Sequence, residues 1–339
     1  MDHGFYIHPR ELVDYWRSVI LLGKNSASYK FALAKTLIGY IHRQGDLITL
    51  DELASPFSRH ICEHLKLEDK QANSDRATYG LTINSCRKFN RNEISESEML
   101  DVVSKNGFKD VLDCFHVVSG DIIPKEFFID ERSVNKGIRL TENMFELGNS
   151  IQIGNLESEI ESRWRLVETA WSLKMPGRCI ISCDIENDSL FTFADTSHRR
   201  SITRCRNALI GYADGRCFYC DKEMTLDSEG KNRPEADHFF PHKLKYLDSG
   251  FGDELDQIWN LVLSCNDCNG ASNKSDKLPN KDWLTCLFER NNSFADSAHP
   301  LSDTIKRQTG KSVKQRRDFF NEIYNRARLL PEWDFKCIA

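Results

Sequence analysis

The chain has no apolar run that approaches the roughly 20 residues a membrane helix needs. Its uninterrupted runs are short, Val19 to Leu22 being typical. No membrane span is expected. Met1-Asp2-His3-Gly4 lacks the basic, then apolar, then small-residue order of a secretory signal, so the expected address is cytoplasmic. Repeats of about 20–50 residues and low-complexity tracts are absent, which removes solenoid readings. Residues 1–175 hold no P-loop, no GxGxxG turn and no metal-ligand cluster, so nothing there signals catalysis. A large excess of either charge is missing too. Lys+Arg number 46 against 51 Asp+Glu, a net charge of −5, so any nucleic-acid binding must come from local basic faces.

What is present describes a folded chain. The 339 residues, with six Trp and twenty Phe, have enough apolar mass for one large core or several smaller ones. Through about residue 175 apolar side chains recur at three- and four-residue spacing, which predicts helices. Thr49 with Glu52 and Ser95 with Glu98 have capping-box form. A helix over Leu156 to about Leu173 is expected, with Leu156, Ile160, Trp164, Val167 and Trp171 on one stripe, Asn155 as its cap and Pro176-Gly177 as its end. Beyond a boundary near residue 178, Cys179–Cys183 and Leu190–Phe193 read as strands around the turn-forming Glu186–Ser189. Ser201 is expected to cap a helix from Ile202 to Ala213, followed by an Asp214-Gly215 turn. A last amphipathic helix runs from Ser312 to about Leu330, with Val313, Phe320, Ile323 and Ala327 inward.

Four of the twelve cysteines form two pairs, Cys217-Phe218-Tyr219-Cys220 and Cys265-Asn266-Asp267-Cys268. This spacing lets two thiolates from one tight turn reach a single tetrahedral ion at about 2.3 Å, so the four suggest a zinc site. Four unrelated buried thiols are the plain alternative. The segment between the pairs exceeds the roughly 15–20 residues of common zinc ribbons, so something folds between the knuckles. The remaining cysteines, including Cys62, Cys86, Cys114 and Cys205, are read as core thiols.

Between the pairs runs Glu235-Ala236-Asp237-His238-Phe239-Phe240-Pro241-His242. Trp259-Asn260-Leu261-Val262-Leu263-Ser264 leads into the second pair, and Asn269-Gly270-Ala271-Ser272-Asn273-Lys274 follows it. From Arg216 to Pro279 the chain resembles the HNH nucleases, or ββα-metal nucleases, in their four-cysteine zinc-stabilised form. The resemblance implies His238 as general base, Asp237 as ligand of a catalytic Mg²⁺ or Mn²⁺, and Asn260 as the brace of the loop carrying the base. It implies Asn269 as second ligand to that ion, where the family often has His. Asn273 is a rival, because the basic Lys274 lies further on than usual. Phosphodiester hydrolysis needs an activated water and a cation at the phosphorus, which imidazole and oxygen-bound divalent ions supply. Taken alone, His238 reads as readily as a core histidine and Asp237 as a turn residue. Neighbours on a strand point to opposite faces, so the two serve one site only where the strand ends or bends.

The expected architecture is α+β. Residues 1–177 would form a helical recognition or scaffold domain, 178–290 an HNH domain with zinc knuckles, and 291–339 a C-terminal helical extension. Lys243, Lys274 and His242 are candidate substrate contacts, with Lys245 and Lys277 beside them. Arg199, Arg200, Arg204 and Arg206, and the Lys306–Arg317 run, are candidate backbone contacts or solvated faces. The Trp164–Glu168, Arg290-Asn291-Asn292 and His299-Pro300-Leu301 segments are similar to long bacterial HNH proteins of restriction and phage-defence loci. DNA is the favoured substrate and RNA the second; a non-enzymatic zinc module is the third reading. Two-strand cutting would call for a homo-oligomer, and the helical domain has room for a protein partner.

Overall fold

A computed structural model describes residues 11–23, 25–73, 77–118, 120–172, 182–184, 188–193, 199–226, 232–296 and 301–333. Helices dominate and small sheets accompany them, an α+β architecture. Among the described residues no helix is long and apolar enough to cross a membrane. The chain forms two compact units. One comprises residues 9–153 and 163–175; the other comprises 1–8, 154–162 and 176–339.

In the first unit, both capping boxes form. The Thr49 hydroxyl accepts from Glu52 N at 3.2 Å while Thr49 N donates to the Glu52 carboxylate at 2.8 Å, starting the Leu50–Leu67 helix. Ser95 and Glu98 do the same for Glu96–Asn106. Pro56, inside Leu50–Leu67, has no N–H for the Glu52 carbonyl one turn back. The Tyr40 hydroxyl donates to that carbonyl instead, at 3.0 Å. The residue after Pro56, Phe57, is fully buried between Tyr29 and Phe108, with ring centroids 5.8 and 4.8 Å away. A small antiparallel sheet has Gly137–Leu140 between Leu47–Thr49 and Phe128–Asp130. A Cβ on Gly137 would stand 2.1 Å from the Ile48 carbonyl oxygen, so this approach requires glycine.

The expected long helix runs from Ile153 to Ser172, and its apolar stripe is buried. It begins before Asn155, so Asn155 is no cap. Its amide reaches across the chain, donating to the Met224 carbonyl at 3.0 Å and accepting from Leu226 N at 2.8 Å. The expected helix end at Pro176-Gly177 lies outside the described residues, as do Cys179–Ile181 and Glu186-Asn187.

In the second unit, Ser182–Asp184, Ser189–Phe193 and Arg199–Thr203 form an antiparallel sheet with Ser189–Phe193 in the middle. This corrects the Ser201 expectation. Ser201 pairs with Phe191 in the ladder, the β-branched Ile202-Thr203 extends the strand, and the helix starts only at Cys205. Asp214 and Gly215 then turn the chain with φ of 52° and 64°. Pro234–His238 pairs antiparallel with Leu261–Cys265, which runs straight into the short helix Asn266–Asn269. Helices Lys281–Asp296, Ser302–Thr309 and Val313–Ala327 complete the unit. The last is capped by Ser312 with Gln315. Its inward stripe is Arg316, Phe320, Ile323, Tyr324 and Ala327; Val313, expected inward, is exposed, because the stripe begins one turn later at Arg316. Two cysteine expectations also change: Cys114 is exposed, and Cys205 is buried but disulfide-bonded.

Candidate functional site

The first knuckle is a tight turn closed by Cys217 N donating to the Lys222 carbonyl at 2.9 Å, with Asp221 in the left-handed region at φ 56°. The second lies at a junction: Cys265 ends its strand and Cys268 sits in the helix that follows. Strand pairing brings the two together, and the four sulfurs lie within 4.8 Å of one another. Cys220 and Cys265 are 3.7 Å apart, close to the roughly 3.8 Å edge of a tetrahedron with metal–sulfur bonds of about 2.3 Å. The thiol of Cys268 and the amide of Cys265 pull Cys217 down to about 5. Burial pushes Cys220 up to about 12, and the neighbouring Cys217 drives Cys268 well above the thiol range. One sulfur is thus readily ionised alone; four together require a cation, and this donor set fits zinc.

The strand beside this cluster ends at His238, opposite Leu261. Asn260, fully buried, ties down the residues that follow. Its amide donates to the carbonyls of Phe240 at 3.0 Å and Leu255 at 2.8 Å, and its oxygen accepts from Phe240 N at 2.8 Å. Asn260 is itself held from behind. Arg290 donates to the carbonyls of Trp259 and Leu261, and Asn291 to that of Trp259 at 3.0 Å.

His238 Nε2 stands 3.3 Å from Asp256 Oδ1, within ion-pair range but out of line for a hydrogen bond. His242 Nε2 approaches the same oxygen at 3.2 Å, and the Lys245 ammonium meets Oδ2 at 2.5 Å. Burial alone would raise the Asp256 carboxyl; His238 and Lys245 outweigh it and pull it down to about 2. One carboxylate therefore anchors two imidazoles and an ammonium at the mouth of the strand.

Asp237 is on the other face, as strand alternation requires. It is buried, accepting from the Tyr219 hydroxyl at 2.9 Å and from the Lys274 ammonium at 2.7 Å. Lys274 also donates to the His238 carbonyl and is 1% exposed, which corrects its reading as a phosphate contact. Desolvation lowers its pKa despite the carboxylate partner. Asn269 donates to Glu235 Oε2 at 3.0 Å, and Glu235 shares the strand face of Asp237. Asp237 and Glu235 thus lie along one strand face, the first neutralised by Lys274 and the second bonded to Asn269. Asn273 is exposed and bonded to the Asp267 carbonyl. Among the described residues, the four cysteines are the one group of three or more His, Cys, Asp or Glu ligands that already converges.

Of the substrate candidates, Lys243 and His242 are exposed. Two arginines of the basic runs are committed elsewhere: Arg206 pairs with Asp188 at 2.8 Å, and buried Arg316 binds Asn292 and Asp296. Tyr219, Glu235, Asp256, Arg290 and Asn291 were not anticipated as site residues. Tyr219 lies inside the first CxxC pair, the one place its role could have been suspected; Asp256 sits in an acidic run that reads as solvated surface. Compared with known proteins, the chain matches no family model, no curated protein and no solved structure.

Proposed function

We propose that the chain is a metal-dependent HNH-type endonuclease that hydrolyses phosphodiester bonds, with DNA as substrate, in bacterial restriction or anti-phage defence. The observation that carries the reading is His238 at a strand end, with its loop braced by Asn260 and its ring facing Asp256, beside four convergent thiols. In this reading Cys217, Cys220, Cys265 and Cys268 hold structural zinc. His238 takes the proton from the attacking water, and Asp256 orients the ring and favours the imidazolium that forms. Lys243 and His242 face the phosphate. A divalent ion on Asp237 and Asn269, with Glu235 adjacent, would neutralise charge at the phosphorus and the leaving oxygen.

A second reading, a non-enzymatic zinc module, is favoured by one specific observation: Lys274 already neutralises Asp237. Purified wild type and His238→Ala, incubated with Mg²⁺ or Mn²⁺ on plasmid, single-stranded DNA and tRNA, separate the readings. The nuclease proposal expects cleavage by wild type and a loss of at least about 100-fold in the variant. Equal cleavage by both proteins, or none by wild type, refutes it. Cleavage of tRNA alone moves the substrate to RNA.

A further inference from the structure

Tyr246 is 83% exposed. Among the residues whose burial is described it is the one Phe, Trp or Tyr left exposed. Its position is specific. It lies in the short helix Leu244–Leu247, one turn after His242. The two ring centroids are 6.3 Å apart and steeply inclined at 73°, and the His242 ring is in turn 5.5 Å from that of His238. The bare aromatic is therefore the second neighbour of the candidate base.

The charges around it point to an anion. Lys243, exposed beside it, enters no ion pair among the described residues. Two carboxylates of this region already have partners: Asp256 has Lys245 and the two imidazoles, and Asp248 has Arg326 at 3.1 Å and the Gly250 amide at 2.8 Å. A free cation, an imidazole and an open π-face in sequence match a phosphate followed by a base. A tyrosine ring also offers stacking area at little entropic cost, having few side-chain torsions to fix. A base inside a duplex has both faces covered by its neighbours, so only an unpaired base can use this ring.

We infer that Tyr246 is a stacking platform for an unpaired base next to the scissile phosphate, which makes the substrate a single strand or a locally unpaired one. The inference rests on the nuclease reading for the role of His238, but it is tested by binding as well as by cleavage. Full-length His238→Ala protein, which holds the strand uncut, is titrated with a short fluorescein-labelled single strand and with the same strand in a duplex, followed by anisotropy. Adding Tyr246→Ala is expected to weaken single-strand binding about tenfold or more and duplex binding less than about twofold, while Tyr246→Phe retains both. In the protein with His238 intact, Tyr246→Ala should abolish a preference for cutting unpaired over paired strands. Because the ring is solvated, an unchanged melting temperature will show that the variant is folded. Undiminished single-strand binding in Tyr246→Ala, or equal losses on both substrates, overturns the inference and leaves the ring to a protein contact. Tyr246-dependent strand binding without cleavage by wild type keeps the platform and removes the nuclease reading instead.

Discussion

In the unit formed by residues 9–153 and 163–175, one buried polar cluster closes on itself. Glu168, wholly buried, receives His64 at 2.8 Å and Gln71 at 2.7 Å; Gln71 takes the Trp164 indole N–H, and His64 stacks on the Trp164 ring. In the second unit, Asn260, Arg290 and Asn291 point at main-chain carbonyls of an irregular loop, and four thiols converge where their thiolate forms would repel one another. The first arrangement is complete with protein atoms alone. The second has a thiol cluster that could hold a metal ion, and its polar braces hold a loop whose shape no regular ladder fixes.

The largest expected effect tests that contrast. Stripping metal from the four thiols should unfold residues 216–280, seen as full amide exchange there, while the Leu50–Leu67 helix keeps its protection. Equal loss in both regions, or retained protection in 216–280, would break the comparison. Next in size is Asn260→Ala, which leaves two carbonyls and an amide without partners. It should cost about 2–4 kcal/mol in urea unfolding; a loss below about 0.5 kcal/mol would show that the loop holds its shape without the brace.

The smallest effect is on pH and should fall on the helical unit. Burial holds His60 down at about 4 and His116 at about 3, against 6.5 unfolded. The unfolded chain then binds more protons, so stability is full above pH 6.5 and declines as pH falls toward 4 and 3. Asp256 is shifted in the same direction but in a lower window, a carboxyl depressed to about 2, so its contribution holds to about pH 4 and fades only below that. Thermal melts from pH 7.5 to 4.5 should show the decline, and His116→Asn should flatten it. A flat profile for the unaltered chain would contradict the buried, neutral histidines.

Local signals were readable in the sequence and long-range ones were not. Thr49, Ser95 and Ser312 announce helix starts because each cap closes within three residues. The CxxC spacing likewise encodes its own turn. Asn155, by contrast, looks like a cap but spends its amide on residues 224–226. Ser201 has cap chemistry, yet pairing with the strand at Phe191 overrides it. Lys274 reads as a substrate contact and Arg316 as part of a basic run; only the fold shows that Asp237 draws one into the interior and that Asn292 and Asp296 take the other. Asp256 had no signal at all, because its meaning comes from two histidines that the loop held by Asn260 brings to it.

The central claim is that this unit uses two metals for two tasks, a zinc that folds it and an oxygen-bound ion that works with His238. Its most direct test is nicking of plasmid by zinc-loaded protein freed of other divalent ions, followed as Mg²⁺ or Mn²⁺ is added back, with His238→Ala in parallel. The account predicts no nicking with zinc alone, nicking that rises with added ion, and none above background in the variant. Nicking at full rate before any ion is added, or equal rates for the two proteins, would contradict it.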